Sequence, residues 1–506
     1  MEILNRSKPP LPGREAAVLV SGLVIFFLVN CFTAERSPAV WCDEVMYADP
    51  AVNLYQGHGF TSGAWYAQPM TQFWAGNVPL YQFALFAWLK LFGFGIVNVR
   101  SFHYFLVGVA VFVAWLAILR LNLIPSLPHR LGFCLLMCLS SSSTFVFRSA
   151  RPESLSILLV AMVLLAMSFQ SARLRGMLLF LGGAFLVWSG LQMAAYVGII
   201  SSLVWMLGPR KFRSATFTIA SGCAVGLFLL YVFFESHGVW GDFLVSIRRH
   251  TVLSNGQHAA FVRDYGTGFL DKFKKLPLIY VDYSFFPILA LSLWILWRRW
   301  RLQGRHWNSP VAYGLTASFI VPLGLYLLGV FPLYYFWMAY LPLALAVCVE
   351  LADPSLPRPS GWLIHLPAVL IAIACLVGLP RRLVVATQDW QGRGYRPVME
   401  FAAPFVNGKK LILSEFAAYY AAKQYSADVV LPTGIQMLSE SEKARMSVAI
   451  LRDGDTASLA RLFGGVWHDT GATLTPPIGS TVAGFRESLD SRQYHLRVFV
   501  RASPTP

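Results

Sequence analysis

The chain has 506 residues, of which 56% are hydrophobic and 15% are aromatic, and its mean hydropathy is +0.55. Several apolar runs reach about 18 residues or more, which excludes a soluble globular protein and indicates a polytopic α-helical membrane protein. The formal net charge is +16. The basic residues lie between the apolar runs, as orientation signals do, so no nucleic-acid partner is predicted. None of the seven cysteines has metal-type spacing.

Eleven membrane spans are predicted, at about 20 residues for each crossing. They lie at 15–33, 101–119, 131–147, 154–170, 176–190, 191–207, 215–234, 283–297, 310–330, 332–349 and 362–380. Basic loops at 210–213 and 298–301 place the N-terminus in the cytoplasm under the positive-inside tendency. This orientation puts 34–100, 148–153, 235–282 and 381–506 on the outer side. The predicted location is the plasma membrane, as a multi-pass protein of a bacterial inner membrane, because no eukaryotic sorting signal is visible.

Two domains are predicted, a membrane domain over 1–380 and an extracytoplasmic tail over 381–506. The tail alternates short strands with helices, which is typical of a small α/β domain with its own core. Its strands are expected at 410–414, 429–431 and 448–451, and its helices at 415–424 and near 455–464. Within the outer loop 34–100, the apolar stretch from Pro79 to Gly93 is too short to span and predicts a helix lying at the membrane surface.

Two adjacent carboxylates, Asp43 and Glu44, follow the first span. Acidic residues are scarce in this chain, so the pair has two explanations. One is a solvated loop start, and the other is a general base in a cavity that opens at the membrane surface. A divalent metal held by Asp43, Glu44 and Asp49 is a further alternative, and no other cofactor is predicted. The candidates for substrate contact are Tyr47, His58, Tyr66, Tyr334 and Tyr335, and the last two also suit an interfacial aromatic belt.

Arginines on the predicted outer side run against the positive-inside tendency, which suggests that they have a task. An arginine fork suits the oxygens of a phosphate. The candidates for binding an anionic group are Arg148, Arg151, Arg248, Arg249 and His250. Pairing of Arg151 with Glu153, or contact with lipid headgroups, is the ordinary alternative.

The order of these features resembles the GT-C superfamily of integral-membrane glycosyltransferases. The nearest branch contains the protein O-mannosyltransferases and the aminoarabinose transferase of lipid A. The resemblance covers residues 15 to about 350 and rests on short motifs. These are Asp43-Glu44-x-x-Tyr47-Ala48, Asn53-Leu54-x-x-Gly57-x-Gly59, Pro79-Leu80-Tyr81, Arg151-Pro152-Glu153 and Tyr335-x-x-x-x-Tyr340-Leu341-Pro342. One departure is the stretch from Gly76 to Pro79, which stands where the lipid A transferases have Glu-Lys-Pro.

The resemblance implies a glycosyltransferase that moves a sugar from a polyprenyl-monophosphate carrier to an acceptor on the outer side, by an inverting displacement. The acceptor is a glycan, a lipid or a protein. The family's loop aspartate corresponds to Asp43, with Glu44 as its companion, and the arginine candidates would hold the carrier phosphate. The alternative is a transporter or flippase of a lipid-linked or anionic substrate. Transporters concentrate ionisable groups near mid-membrane and show inverted repeats, whereas most charges here lie at the outer rim.

Overall fold

The computed structural model describes residues 13–66, 68–250, 282–303, 309–328, 335–356, 359–387, 390, 392–408, 411–425, 428–475 and 494–502. Tyr334 lies outside these ranges, as does the stretch 251–281 of the predicted outer loop 235–282. The side chains of Arg249 and His250 also lie outside the described part. Predictions on these residues therefore stay predictions.

The described part is mostly helical up to residue 406. Its helices are α1 (Gly13–Phe32), α2 (Cys42–Gln56), α3 (Leu80–Phe92), α4 (Ile96–Arg120), α5 (Leu127–Leu139), α6 (Ser141–Arg148), α7 (Glu153–Ala166), α8 (Ala172–Ser189), α9 (Gln192–Leu207), α10 (Arg213–Ser236), α11 (Trp240–His250), α12 (Phe285–Gln303), α13 (Pro310–Leu327), α14 (Trp337–Leu351), α15 (Leu366–Leu376), α16 (Leu379–Thr387) and α17 (Arg396–Val406). The predicted outer loop 34–100 thus contains the helix α2, for which the sequence analysis gave no secondary structure.

Several of these helices suit a membrane. Five in the described residues are long and apolar enough to cross one, namely α1, α4, α8, α10 with its preceding turn, and α13. The number rises to seven if α5–α6 and α15–α16, which bend by 44° and 42°, each form one span. The helices α3, α7, α9 and α14 are apolar but shorter. The protein is thus a multi-pass membrane protein by its helices, while the count of eleven and the orientation stay predictions.

Small residues allow α8 and α10 to pack closely. A Cβ added at Gly222 would lie 2.0 Å from the carbonyl oxygen of Phe180, and one at Gly183 would lie 2.2 Å from that of Ile219. Close backbone approach at small residues is a usual way to pack helices in a membrane, where the hydrophobic effect gives little drive for association.

A five-stranded sheet follows the helices. It consists of β1 (Leu411–Ser414), β2 (Asp428–Val430), β3 (Val448–Leu451), β4 (Trp467–Leu474) and β5 (Leu496–Arg501), in the order β2-β1-β3-β5-β4. The strand β1 is parallel to β2 and β3, and β5 is antiparallel to β3 and β4. The associated helices are α18 (Tyr419–Tyr425), α19 (Glu440–Arg445) and α20 (Thr456–Phe463).

The two faces of the sheet contribute to different cores. Side chains such as Leu411 and Phe499 pack with α20 in a cluster of the tail itself. Those such as Ile412 and Val498 belong to a continuous core with α2, α3 and α4. The amide of Leu431 donates to the carbonyl of Gly63 at 3.1 Å, which joins the loop after α2 to the end of β2. The sheet is therefore docked on the helix that carries the acidic pair.

Candidate active site

The acidic pair lies in the first turn of α2, where carboxylates are favoured by the helix dipole. Consecutive residues of a helix point in different directions, about 100° apart, and the two acids have different surroundings. The Asp43 side chain is 26% exposed, whereas that of Glu44 has no exposure. Asp43 is thus the member of the pair that a substrate can reach.

Asp43 pairs with Arg151, which also binds Glu153. Arg151 donates to the two Glu153 oxygens at 3.1 Å from Nε and 2.9 Å from the second amino group. The Arg151 and Glu153 side chains are 1% and 2% exposed. One guanidinium thus joins α2 to the start of α7. The pairing with Glu153 expected as the ordinary alternative is present, and the contact with Asp43 adds a second partner.

Ala150 gives the chain its turn before Arg151. Its φ is 49°, in the left-handed region that residues with a Cβ seldom adopt, and the residue is completely buried. Conformations of this kind persist where the surrounding structure enforces them, often at functional sites. The turn separates Arg151 from Arg148, which ends α6.

Glu44 is held by groups from two distant parts of the chain. Arg100 of α4 donates to both of its oxygens, at 2.7 Å and 2.6 Å. The hydroxyl of Tyr420 in α18 donates to the same carboxylate at 3.0 Å. Because Glu44 is enclosed and multiply bonded, it fixes the position of α2 and does not face an open space.

Asp49 is the second buried carboxylate of α2, and one of its oxygens accepts from Ser62, Gly63 and Ala64. Its other oxygen accepts from the Tyr419 hydroxyl at 2.6 Å. These N–H and O–H donors occupy the lone pairs that a metal would need. In the part of the chain that the structure describes, no cluster of three or more His, Cys, Asp or Glu is suited to a metal ion. The donor set does not fit a metal shared by Asp43, Glu44 and Asp49.

Among the other basic candidates, the side chains of Arg148 and Arg248 are described. Arg148 is buried and donates to Asn30, Thr33 and the carbonyl of Ser37, so it closes the end of α1. Arg248 lies on the exposed side of α11. The structure thus brings Asp43 and Arg151 together, and gives Arg148 a different set of partners.

A small cavity of about 10 Å³, room for roughly one water molecule, lies beside the Arg151 cluster. It is lined by Tyr47, Asn77, Val78, Gln82, Pro152, Glu153, Ser189, Gly190, Gln192 and Tyr335. The guanidinium carbon of Arg151 lies 5.8 Å from the ring centre of Tyr47 and 5.9 Å from that of Tyr335. Burial raises the pKa of Tyr47, so its hydroxyl stays protonated. The wall offers hydroxyl and amide groups, the usual partners of sugar hydroxyls.

Two predicted substrate contacts lie differently. His58 is exposed in the turn after α2, and Tyr66 stacks on Trp65 with ring centres 5.3 Å apart. Neither lines the cavity beside Arg151. The amides Asn77, Gln82 and Gln192 were missed by the sequence analysis. Their only signal is that each is an uncharged polar residue at the edge of an apolar segment.

The overall fold is similar to those of two proteins of known structure. The chain is similar to ArnT from Cupriavidus metallidurans, whose structure is bound to undecaprenyl phosphate, with 11% identity, 96% of this chain and 98% of ArnT covered, and a TM-score of 0.54. It is also similar to the arabinofuranosyltransferase AftD from Mycobacteria, at 14% identity and a TM-score of 0.53. That match covers 98% of this chain and 40% of AftD, so the chain spans less than half of that protein.

The resemblance predicted from the sequence is confirmed at the level of the fold. No protein-family model matches the chain, and no curated protein matches it.

Proposed function

We propose that this protein is a glycosyltransferase that moves a sugar from a polyprenyl-monophosphate carrier to an acceptor at the extracytoplasmic face of the membrane. The observation that carries the proposal is the pairing of the accessible carboxylate of Asp43 with the buried guanidinium of Arg151. The proposed base for the acceptor and the proposed cation for the leaving phosphate are then in direct contact.

Arg151 is the proposed ligand of the carrier phosphate. Its planar fork matches two phosphate oxygens, and its burial strengthens the electrostatic attraction. Two carboxylates share this one guanidinium. A carrier phosphate therefore competes with Asp43 for Arg151, and binding of the donor would release the carboxylate next to the reacting sugar.

Asp43 is the proposed general base. The acceptor oxygen attacks C1 of the sugar, the bond between C1 and the phosphate oxygen breaks, and the phosphate leaves with the electron pair. The proton of the acceptor passes to Asp43. This single displacement inverts the anomeric centre and needs no covalent enzyme intermediate.

The remaining predicted residues take supporting roles in this proposal. Tyr47 and Tyr335 donate hydrogen bonds to sugar or phosphate oxygens from the cavity wall. The enclosure of Glu44 favours a positioning role over contact with a reacting atom. The acceptor is a glycan, a lipid or a protein. The tail carrying the sheet packs against α2, which also contributes Tyr47 to the cavity. Arg248, Arg249 and His250 stay candidates for the approach of the anionic headgroup.

The test compares wild type with Asp43→Asn, purified in detergent and supplied with radiolabelled polyprenyl-phosphate sugars. We expect transfer to fall about 10²- to 10⁴-fold in the variant, the usual range for loss of a general base, with carrier binding retained. The matched control is Asp453→Asn, since this carboxylate is 84% exposed on the tail. Transfer by Asp43→Asn at the wild-type rate would contradict the role of Asp43. Carrier binding without any transfer by wild type would favour the transporter alternative.

A further inference from the structure

Two adjacent tyrosines of the tail each bind a different buried carboxylate of α2. Tyr419 donates to Asp49 at 2.6 Å, and Tyr420 donates to Glu44 at 3.0 Å. Both tyrosines are at most 3% exposed, and both carboxylates are completely buried. The tail therefore contacts α2 through charged groups in the interior, as well as through apolar packing.

The first turn of α2 depends on such contacts. The first amide groups of a helix lack partners within the helix and are normally satisfied by a capping side chain. The N-cap residue of α2, Trp41, makes no capping hydrogen bond with its side chain. Glu44 is bound by Arg100 and Tyr420, and Asp43 by Arg151, so these three residues attach the turn that carries Asp43.

We infer that Tyr420 is a positioning residue for the transfer reaction, which makes the tail a working part of the catalytic centre. The expected effect of Tyr420 on the transfer rate rests on the proposed function. Its expected effect on the position of the first turn of α2 does not. Tyr420 touches no reacting atom. It acts through Glu44, whose neighbour along the chain is Asp43. Displacement of a catalytic group by about 1 Å can lower a rate by about 10²-fold.

Tyr419 provides an internal comparison. Its partner Asp49 lies farther along α2 and accepts three other hydrogen bonds, from Ser62, Gly63 and Ala64. Loss of the Tyr419 hydroxyl therefore leaves Asp49 largely held, and leaves the first turn of α2 in place. The two tyrosines are neighbours on one helix, so the two variants remove the same group from the same part of the tail.

The experiment measures transfer by Tyr420→Phe, Tyr419→Phe and the control Tyr425→Phe, whose tyrosine lies on the same helix and is 40% exposed. In Tyr420→Phe we expect kcat to fall about 10- to 100-fold, with the KM for the donor within about twofold. The Tyr419→Phe variant should keep kcat within about threefold of wild type. Equal losses of kcat in Tyr419→Phe and Tyr420→Phe, in step with their thermal stability, would overturn the inference.

A second readout needs no turnover. Cys42 is half-buried in the first turn of α2, with its sulfur 3.7 Å from Asp43. Its labelling by a water-soluble maleimide, followed by peptide mass spectrometry, should become at least about fivefold faster in Tyr420→Phe and stay unchanged in Tyr425→Phe. Cys31 serves as a second half-buried thiol in the same protein.

The two readouts separate the two proposals. If wild type transfers no sugar, the proposed function fails, and the Cys42 labelling alone decides the role of Tyr420. Unchanged labelling in Tyr420→Phe overturns the inference even in an active enzyme. Should Tyr420→Phe fail to fold, Glu44→Gln weakens the same attachment from the other side, and Cys42 labelling must rise in that variant.

Discussion

Arg100 and Glu44 join a membrane helix to the helix of the candidate base. Arg100 donates to both carboxylate oxygens at 2.7 Å and 2.6 Å, and neither side chain is exposed. The same guanidinium donates to the carbonyls of Ala34 and Pro38 at 2.5 Å and 2.8 Å. One arginine of α4 thereby fixes the end of the connection from α1 and the start of α2.

We predict that Arg100→Met lowers the free energy of unfolding by about 3–5 kcal/mol, because it leaves the buried charge of Glu44 without its cation. The measurement is thermal unfolding of the purified protein in detergent. The control is Arg396→Met, since Arg396 pairs with Glu400 on the surface and the side chains are 85% and 63% exposed. That change should cost less than about 1 kcal/mol. Equal effects of the two changes would contradict the structural role of Arg100.

We predict that Arg151→Lys lowers kcat/KM for the lipid-linked sugar by about 10²- to 10³-fold. This is the usual loss when an enzyme lacks one preorganised hydrogen-bond donor to the charge that develops in the transition state. Lysine keeps the charge but not the planar fork. Binding of the carrier phosphate should weaken in the same variant. Arg148→Lys is the contrast, because Arg148 holds the end of α1. Arg148→Lys should reduce thermal stability and leave carrier affinity near the wild-type value. Weaker carrier binding in Arg148→Lys, with unchanged binding in Arg151→Lys, would assign the phosphate to Arg148.

We predict that Gly63→Ala separates the sheet from the loop after α2. A Cβ at this position would lie 2.2 Å from the carbonyl oxygen of Val429, so the backbones must move apart. The expected cost is about 1–3 kcal/mol of stability, as for other overpacked sites. Gly198→Ala in α9 has no atom within 4 Å of the added Cβ and should be neutral or slightly stabilising. Thermal unfolding of the two variants checks this, and equal midpoints would refute it.

Local patterns predicted the parts of this structure that local forces determine. The strands β1, β2 and β3 follow from short apolar runs, and the helix predicted after Pro79 appears as α3 (Leu80–Phe92). Its place at the membrane surface stays a prediction. The accessible acid Asp43 was found from the scarcity of carboxylates. The span count stays unresolved because apolar composition does not fix where a helix ends or bends. Ser140, for example, breaks one predicted span into α5 and α6.

The sequence alone could not predict which residues far apart along the chain are in contact. Glu44 meets Arg100 across 56 positions and Tyr420 across 376 positions, and no periodicity relates them. Arg148 and Arg151 looked equivalent because they are three residues apart. The left-handed turn at Ala150 sends one arginine to α1 and the other to Asp43. A backbone conformation that alanine rarely adopts has no signature in composition.

The buried lysine Lys423 predicts a pH dependence of stability. Its side chain is 2% exposed in α18, and burial lowers its pKa below the ordinary 10.5 against the attraction of Asp49 and Asp428. Between the lowered pKa and 10.5, the unfolded chain binds a proton that the folded protein does not, so this group makes stability rise with pH. Below the lowered pKa, the folded protein bears the full cost of the buried charge.

Lys423→Met removes the charge and keeps an unbranched apolar side chain. For each protein, the unfolding temperature is expressed relative to its own value at high pH. On this scale we expect Lys423→Met to unfold at a higher temperature than wild type, by a margin that shrinks as the pH approaches 10.5. Thermal unfolding in detergent from about pH 7 to about pH 10 measures this margin. Lys443→Met is the control, because Lys443 is 27% exposed in a surface pair with Glu440. A margin for Lys423→Met that stays flat or grows with pH would show that burial does not control this lysine, since only a proton held preferentially by the unfolded chain produces the decline.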